Sequence, residues 1–227
     1  MTFADKIIRY FEKLECNIAL PPDVLYMNPY KEKNTMEAVK SFYRKYYSDT
    51  NDRIYIVGIN PGRFGSGATG IAFTDTVRLE SCCGITHNLP KTVELSSEYI
   101  YSVVEAMGGP EAFFGKFYLT SVSPVGFTKD GKNYNYYDSP AILAATLPYM
   151  TQNLKEQIGW GANRHTAICL GAGKNFKHLM EVNRLMRLPF DSIVAVNHPR
   201  FVMQYRRKRI AEEIDTFVNI LNRATCQ

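Results

Sequence analysis

Residues 54–73, which read IYIVGINPGRFGSGATGIAF, decide the fold of this chain. The stretch opens with a short apolar run at 54–57, and a run that is rich in β-branched residues and soon broken favours a buried strand over a helix. The loop that follows is rich in glycine, which lets the backbone approach a ligand closely. Asn60 is therefore predicted to project from the carboxyl end of a strand, where open α/β sheets bind their ligands.

Two other interpretations of this loop stay open. Residues 65–70, GSGATG, match the glycine pattern of dinucleotide-binding loops. That pattern normally leaves its strand at once and opens a long helix, whereas here residues 60–64 intervene and residues 70–73 do not begin a helix. A plain structural turn explains the glycines, but it does not explain a polar Asn60 at the strand tip followed by Pro61.

Length and composition predict one globular domain, residues 1–227. A chain of 227 residues, 45% of them hydrophobic, is long enough for one sizeable core and short for two. Lysine and arginine outnumber aspartate and glutamate by 27 to 22, which gives a net charge of +5. This charge is compatible with a polyanionic partner such as DNA but is too small to establish one. We expect a monomer.

The sequence also predicts a cytoplasmic protein without metal or cofactor. No apolar run approaches the roughly 20 residues of a membrane helix, and residues 2–16 lack the uninterrupted apolar stretch of a signal peptide. The five cysteines contain no CxxC pair, and the four histidines are scattered along the chain. Neither a disulfide framework nor a metal site is therefore expected.

Apolar periodicity and turn residues divide the chain into alternating helices and strands. Predicted helices cover residues 2–16, 34 or 35 to about 47, 96 or 97 to 107, 139 to about 158 and 171 to about 185, and a last helix carries the apolar residues of 210–221. Predicted strands cover residues 54–57, 117–122, 166–170 and 192–196. Residues 23–33 are expected to be irregular, and residues 123–137 are expected to be a loop.

This alternation predicts an α/β fold, a three-layer αβα sandwich around a central, mainly parallel four-stranded sheet. Loops after residues 59, 122, 170 and 196 then meet on one rim of the sheet, which is where such sheets bind ligands. The loop 171–175, GAGKN, resembles a phosphate-binding loop only superficially. It lacks the earlier glycine and the Ser or Thr that follows the lysine in such loops.

The sequence around Asn60 belongs to a wider family resemblance that covers most of the chain. Residues 58–73, GINPGRFGSGATGIAF, resemble the first motif of the uracil-DNA glycosylase superfamily, in particular of the single-strand-selective monofunctional uracil-DNA glycosylases. Further segments follow in that family's order: VLYMNPYK at 24–31, VR at 77–78, GI at 84–85, GGPEAFFGKFYLTSVSPV at 108–125 and NHP at 197–199. The second motif lacks the Ser-Pro that usually follows His-Pro, which resembles a bacterial side branch of the family.

The resemblance implies hydrolysis of the bond between deoxyribose and base, through a cation-like sugar and a base that leaves with negative charge. Asn60 is implied to hold the attacking water through its side-chain carbonyl, and a neutral amide does not become a covalent trap. His198 is implied to donate a hydrogen bond to the base, a contribution typically worth about 3–4 kcal/mol. The structural alternatives are an Asn60 that caps its own loop and a His198 that only packs.

Four further residues are implied to contact the base: Ile59, Gly62, Phe73 and Ser121. Phe73 corresponds to the aromatic residue on which the family stacks the extruded base. Gly62 corresponds to the position where the base comes close to the backbone. The family commonly has Asn where this chain has Ser121. An amide offers a hydrogen-bond donor and an acceptor side by side, whereas serine has a single rotatable hydroxyl. We therefore expect that Asn133, Asn135 or an ordered water reads the base, or that the base preference differs.

Basic and aromatic residues after His198 are candidate DNA contacts: Arg200, Phe201, Arg206 and Arg207. Flipping a nucleotide costs a few kcal/mol, which is partly offset by a side chain that fills the vacated stack, and Arg200 or Phe201 is the predicted wedge. The basic residues of 205–209 lie near a helix start, where either a phosphate ligand or solvent stabilises their charge. Asp75 is a candidate auxiliary base only because it is near the Asn60 loop.

We therefore expect a monofunctional DNA glycosylase that removes uracil or an oxidised uracil derivative from DNA. Two alternatives remain. The first is a nucleic-acid-binding or nucleotide-binding module of the same fold that has lost the chemistry, which the Ser121 substitution motivates. The second is a nucleotide-dependent enzyme that uses residues 65–70.

Overall fold

The computed structural model of the chain describes residues 1–186 and 189–226. Residues 187, 188 and 227, which the predicted single domain includes, lie outside this description. The helices are α1 (Phe3–Lys13), α2 (Lys33–Tyr46), α3 (Ser66–Thr69), α4 (Thr76–Ser81), α5 (Leu95–Ala106), α6 (Pro110–Phe114), α7 (Pro140–Ile158), α8 (Lys174–Leu185), α9 (Pro199–Tyr205) and α10 (Ile210–Ala224). The strands are β1 (Val24–Met27), β2 (Arg53–Gly58), β3 (Phe117–Ser121), β4 (Gly126–Lys129), β5 (Lys132–Tyr134), β6 (Ala162–Leu170) and β7 (Ser192–Val196).

Four parallel strands form the central sheet in the order β3-β2-β6-β7. Both β2 and β3 are buried at every position, which is typical of parallel strands that are covered by helices. The predicted α/β fold with a four-stranded parallel sheet is confirmed. The strand β6 begins earlier than predicted, because Ala162 and Asn163 already pair with the start of β2 across a break in register.

The register of the sheet brings the carboxyl ends of the strands together. Gly58 at the end of β2 lies opposite Ser121 at the end of β3. Leu170 at the end of β6 lies opposite Val196 at the end of β7. The loops that follow these four residues therefore lie along one rim, as the sequence predicted.

A second, antiparallel sheet in the order β1-β4-β5 replaces the irregular segment 23–33 and the loop 123–137 that the sequence predicted. Strands β4 and β5 form a hairpin around Asp130 and Gly131, which have φ of 50° and 68°. Two successive residues with positive φ are the signature of a type I′ turn, which the Asp-Gly pair favours. The prediction was wrong because β5 is short and largely exposed, so it carries little apolar periodicity.

The N-terminus of helix α2 differs from the predicted one. Helix α2 begins at Lys33, and its N-cap Glu32 makes no side-chain cap hydrogen bond. The predicted cap at Asn34 or Thr35 is therefore wrong. The Thr35 hydroxyl instead donates to the carbonyl of Ala68 at 3.2 Å, which ties α2 to α3. None of the helices in the described ranges is both long and apolar enough to cross a membrane.

The glycine-rich stretch 65–70 does not open a long helix. Helix α3 covers only Ser66–Thr69 and ends at Gly70, whose φ of 71° lies in the left-handed region. A dinucleotide-binding loop needs a longer helix whose N-terminus faces the pyrophosphate. The nucleotide-dependent alternative therefore gains no support from this loop.

Candidate active site

A cleft of about 560 Å³ opens at the rim where the parallel strands end. Its volume lies within the roughly 300–1,000 Å³ of small-molecule sites. Apart from the auxiliary-base candidate Asp75, the residues that were predicted to serve catalysis, base binding or the wedge line this cleft: Ile59, Asn60, Gly62, Phe73, Ser121, His198, Arg200 and Phe201. The hairpin β4–β5 adds Asn133, and the loop after it adds Asn135. The parallel sheet thus brings the two predicted motifs to one site.

The Asn60 side chain is held by the loop that follows β5. Its carbonyl oxygen accepts a hydrogen bond from the backbone N–H of Tyr136 at 3.2 Å. Its amide nitrogen donates to the carbonyl of Tyr134 at 3.3 Å and to that of Pro61 at 3.4 Å. These three bonds fix which end of the amide carries the oxygen. Since a carbonyl oxygen has two lone pairs, one acceptor position remains for a water molecule.

His198 caps the helix α9, and this role fixes its tautomer. Its Nδ1 accepts a hydrogen bond from the backbone N–H of Arg200 at 3.2 Å. The ring hydrogen of the neutral imidazole is therefore on Nε2, which is left free to donate. Burial, together with the nearby charge of Arg200, lowers the pKa of His198 to about 4. At neutral pH the cleft thus contains a neutral imidazole that acts as a hydrogen-bond donor.

The ring of Phe73 lies against the end of β2, close to His198. Phe73 has a φ of 54°, a left-handed conformation that costs a non-glycine residue roughly 1–2 kcal/mol. A Cβ atom added at Gly58 would lie 2.6 Å from the Phe73 ring, so only glycine fits at the end of this strand. The centroids of the Phe73 and His198 rings are 6.1 Å apart. An aromatic face and a hydrogen-bond donor therefore lie side by side.

A profile of the uracil DNA glycosylase superfamily matches residues 44–222 of the chain. The chain belongs to this superfamily. The crystal structure of wild-type SMUG2 from Pedobacter heparinus superposes on the chain with a TM-score of 0.96, at 43% sequence identity, and the alignment covers 100% of both chains. No curated protein matches the chain. The predicted resemblance is confirmed, and the protein is a DNA glycosylase and hence a hydrolase.

Three polar residues are candidates to read the base in this glycosylase. Ser121 is buried at the end of β3, and in the described part of the chain no protein group bonds its hydroxyl. The Asn133 carbonyl accepts from the backbone N–H of Arg63 at 3.1 Å, which leaves its NH2 group available. The Asn135 amide donates to Asp138 at 3.2 Å. Asn133 is therefore the better placed of the two asparagines.

Glu94 was not predicted from the sequence, yet its carboxyl group lines the cleft of the glycosylase. A Cβ added at Gly62 would lie 3.0 Å from Glu94 Oε1 and 3.4 Å from Asn133 Nδ2. Burial, aided by the negative charge of Asp75, raises the pKa of Glu94 to about 7, and the charge of Arg200 partly opposes this rise. No sequence signal marks Glu94, because it precedes a helix in a segment that resembles no motif.

The helix α9 supplies the outer wall of the glycosylase cleft. Phe201 and Tyr205 are 41% and 72% exposed, and the centroids of their rings are 5.4 Å apart. These residues are four positions apart, so they share one face of the helix. Tyr205 was not singled out in the sequence analysis, although an exposed aromatic one turn after a predicted wedge is a usable signal.

Arg206 and Arg207, which were predicted to contact DNA, are exposed and are not among the residues that line the cleft. They follow α9 and lead into the 3₁₀ turn Arg207–Arg209. Arg207 lies 3.6 Å from the carboxylate of Glu98 on α5. Any contact that these two arginines make with DNA therefore lies outside the base pocket.

Asp75, the candidate auxiliary base, does not line the cleft and is fully buried. It caps α4 by accepting from the backbone N–H of Arg78 at 2.8 Å, and it accepts from the Arg78 guanidinium at 3.1 Å. It also accepts from the backbone N–H of Glu94 at 2.9 Å. Proximity in sequence to the Asn60 loop was therefore misleading. Within residues 1–186 and 189–226, no group of three His, Cys, Asp or Glu residues could hold a metal ion.

Proposed function

We propose that the protein hydrolyses the N-glycosidic bond of uracil, or of an oxidised uracil derivative, in DNA and leaves an abasic site for base excision repair. The observation that carries this proposal is that the Asn60 amide, the His198 imidazole and the Phe73 ring line one cleft. We propose that it acts in the cytoplasm as a monomer, without a metal, a cofactor or a lyase step.

Base flipping brings the target into this cleft. A base inside a duplex is out of reach of the strand ends, so the nucleotide must leave the stack. The Phe73 ring provides a stacking surface for the flipped base, and the missing side chain at Gly62 leaves room beside it. Stacking accepts any base, so discrimination rests on Ser121 and on the free NH2 group of Asn133.

Asn60 and His198 act on opposite ends of the bond that breaks. Asn60 holds the attacking water through the lone pair of its carbonyl that Tyr136 leaves free. As the bond lengthens, the sugar becomes cation-like and the base gains negative charge. His198, as a neutral imidazole, donates a hydrogen bond from Nε2 to an oxygen of the base and so stabilises this charge.

The outer helix and the basic turn hold the DNA. Phe201, beside Tyr205 on α9, fills the space that the flipped nucleotide leaves, and Arg200 stands at the mouth of the cleft. Arg206 and Arg207 contribute a sequence-independent attraction to phosphates, so binding weakens as salt rises.

Incubation of the protein with an oligonucleotide that contains one uracil, followed by alkali, tests the proposal. We expect strand cleavage by the wild-type protein and by Asn34→Ala, whose exposed asparagine on α2 lies outside the cleft. Asn60→Ala is expected to lose most base release but to keep DNA binding, because it removes the group that holds the water and leaves the DNA contacts in place. Asn60→Ala activity equal to that of the wild type would remove Asn60 from the mechanism.

A binding module without chemistry is the second candidate, and Ser121 favours it because a hydroxyl replaces the amide common in the superfamily. The same assay separates the two candidates. A wild-type protein that binds uracil-containing DNA but releases no base, even at high protein concentration, is a binding module.

A further inference from the structure

Glu94 is a carboxyl group in the cleft that the proposed mechanism does not yet use. It immediately precedes α5, and its backbone N–H is held by Asp75 at 2.9 Å. Among the described residues, no side chain or backbone group donates a hydrogen bond to its carboxyl oxygens. A carboxyl group that is largely buried without a donor is costly, and such groups concentrate at functional sites.

The loop that begins at Asn60 is shaped around this carboxyl group. A Cβ at Gly65 would overlap Glu94 Oε2, and one at Gly62 would come within 3.0 Å of Oε1. The carboxyl group therefore lies against the backbone that follows Asn60 by a few residues. This contact places Glu94 beside Gly62 in the cleft that Asn60 also lines, and it gives the first glycine of the 65–70 pattern a role.

The charged groups around Glu94 influence its pKa in opposite directions. Asp75, which packs beneath it at the start of α4, disfavours its ionisation, whereas Arg200 on α9 favours it. His198 lines the same cleft but stays neutral, and Lys174 at the start of α8 is the other basic residue on the lining. Together with burial, these charges raise the pKa of Glu94 to about 7.

We propose that Glu94 is the proton acceptor for the water that attacks the sugar. This proposal rests on the proposed function. The water oxygen forms a bond to C1′ as the bond from C1′ to the base nitrogen breaks, and the electron pair of that bond leaves with the base. The water proton passes to the Glu94 carboxylate, the departing base anion takes a proton from solvent, and Glu94 then releases its proton to solvent, so that charge and atoms balance over the cycle. Before the transfer, the same negative charge stabilises the cation-like sugar.

The other polar groups of the site do not provide this proton acceptor. The Asn60 amide orients a water but is not basic, and its carbonyl already accepts from Tyr136. His198 uses Nδ1 to accept from Arg200. The Asp75 carboxylate is buried behind the wall and accepts three hydrogen bonds from Arg78 and Glu94. In the described part of the lining, Glu94 is the acidic residue that faces the cleft.

The proposal is tested by single-turnover uracil release from a single-stranded oligonucleotide at a series of pH values. For the wild type, the rate is expected to fall about tenfold for each pH unit below 7 and to be level above it. Glu94→Gln is expected to be about 100-fold slower at alkaline pH and to lose this pH dependence. The matched control is Glu105→Gln, which removes an exposed carboxylate from the other end of α5 and should keep the wild-type profile.

Two further variants distinguish chemistry from structure. Glu94→Ala leaves a space beside Gly65, so added formate should raise its rate but not that of Asn60→Ala. Asp75→Asn removes the negative neighbour, so the midpoint of the pH profile should move to lower pH. Glu94 variants that keep the wild-type rate and profile, or an Asp75→Asn profile that does not move, would overturn the proposal while leaving the glycosylase function intact. A wild-type protein that releases no uracil would instead overturn the function itself.

Discussion

Replacement of Glu94 with glutamine is expected to stabilise the folded protein at alkaline pH, whatever it does to catalysis. Because burial raises the pKa of Glu94 from 4.5 to about 7, the folded state favours the protonated carboxyl group. The stability that depends on this group is therefore fully present below pH 4.5 and is lost as the pH rises through 7. Glutamine is neutral at every pH, so the variant avoids this loss.

The magnitude follows from the same two pKa values. A tenfold change in an equilibrium is worth about 1.4 kcal/mol, so a pKa of about 7 in place of 4.5 corresponds to at most about 3.5 kcal/mol above pH 8. The cleft is open to water, which screens part of this cost, and we therefore expect about 1–3 kcal/mol. For a chain of this length, each kcal/mol moves the melting temperature by about 2–4 °C.

Urea unfolding of the wild type, Glu94→Gln and Glu105→Gln near pH 4 and near pH 8.5 measures this difference. At the acidic pH the wild-type Glu94 is protonated when folded, so Glu94→Gln and the wild type should have similar free energies of unfolding. At the alkaline pH, Glu94→Gln should be the more stable, and the Glu105→Gln control should show no such change. A stability difference that is the same at both pH values would show that folding does not raise the pKa of Glu94, and it would contradict the buried position of this carboxyl group in the cleft.

Gly58→Ala is expected to destabilise the fold by about 1–3 kcal/mol and to lower uracil release, because its Cβ would lie 2.6 Å from the Phe73 ring; denaturant unfolding and the release assay measure both effects. A Gly58→Ala protein with wild-type stability would mean that the ring moves aside freely. Phe201→Ala is expected to slow release from duplex DNA about tenfold more than release from single strands, because only a duplex has a stack to refill. Equal losses on the two substrates would remove Phe201 from the wedge role.

The parallel sheet and its rim were predictable because their signals are local. Strands β2 and β7 are short, mostly apolar runs that end at Gly58 and Val196, and the polar residues Asn60 and His198 come shortly after these ends. Once four such strands are parallel, the carboxyl ends must share one edge. The family resemblance then assigned Phe73 to the same site. Phe73 lines the cleft together with Asn60 and His198.

The antiparallel sheet was not predictable on the same basis, although it positions a candidate catalytic side chain. Its strand β1 pairs with β4 across about a hundred residues, since Val24 lies opposite Lys129. Such a pairing leaves no periodic trace when the strands are short and half-exposed. The hairpin nevertheless leads into Tyr134 and Tyr136, whose backbone groups hold the Asn60 amide.

The contact between Gly65 and Glu94 shows that a glycine pattern does not by itself identify what the loop binds. In a dinucleotide-binding loop, the missing side chains let backbone N–H groups approach a phosphate. Here the missing side chain at Gly65 lets the chain's own carboxyl group approach instead, with a second carboxylate, Asp75, close behind it. An anionic pyrophosphate at this position would meet Glu94 sterically and would be repelled by both groups. The pattern that suggested a nucleotide site in the sequence therefore disfavours an anionic ligand in the structure, whereas it favours the cation-like sugar of a glycosidic bond that is breaking.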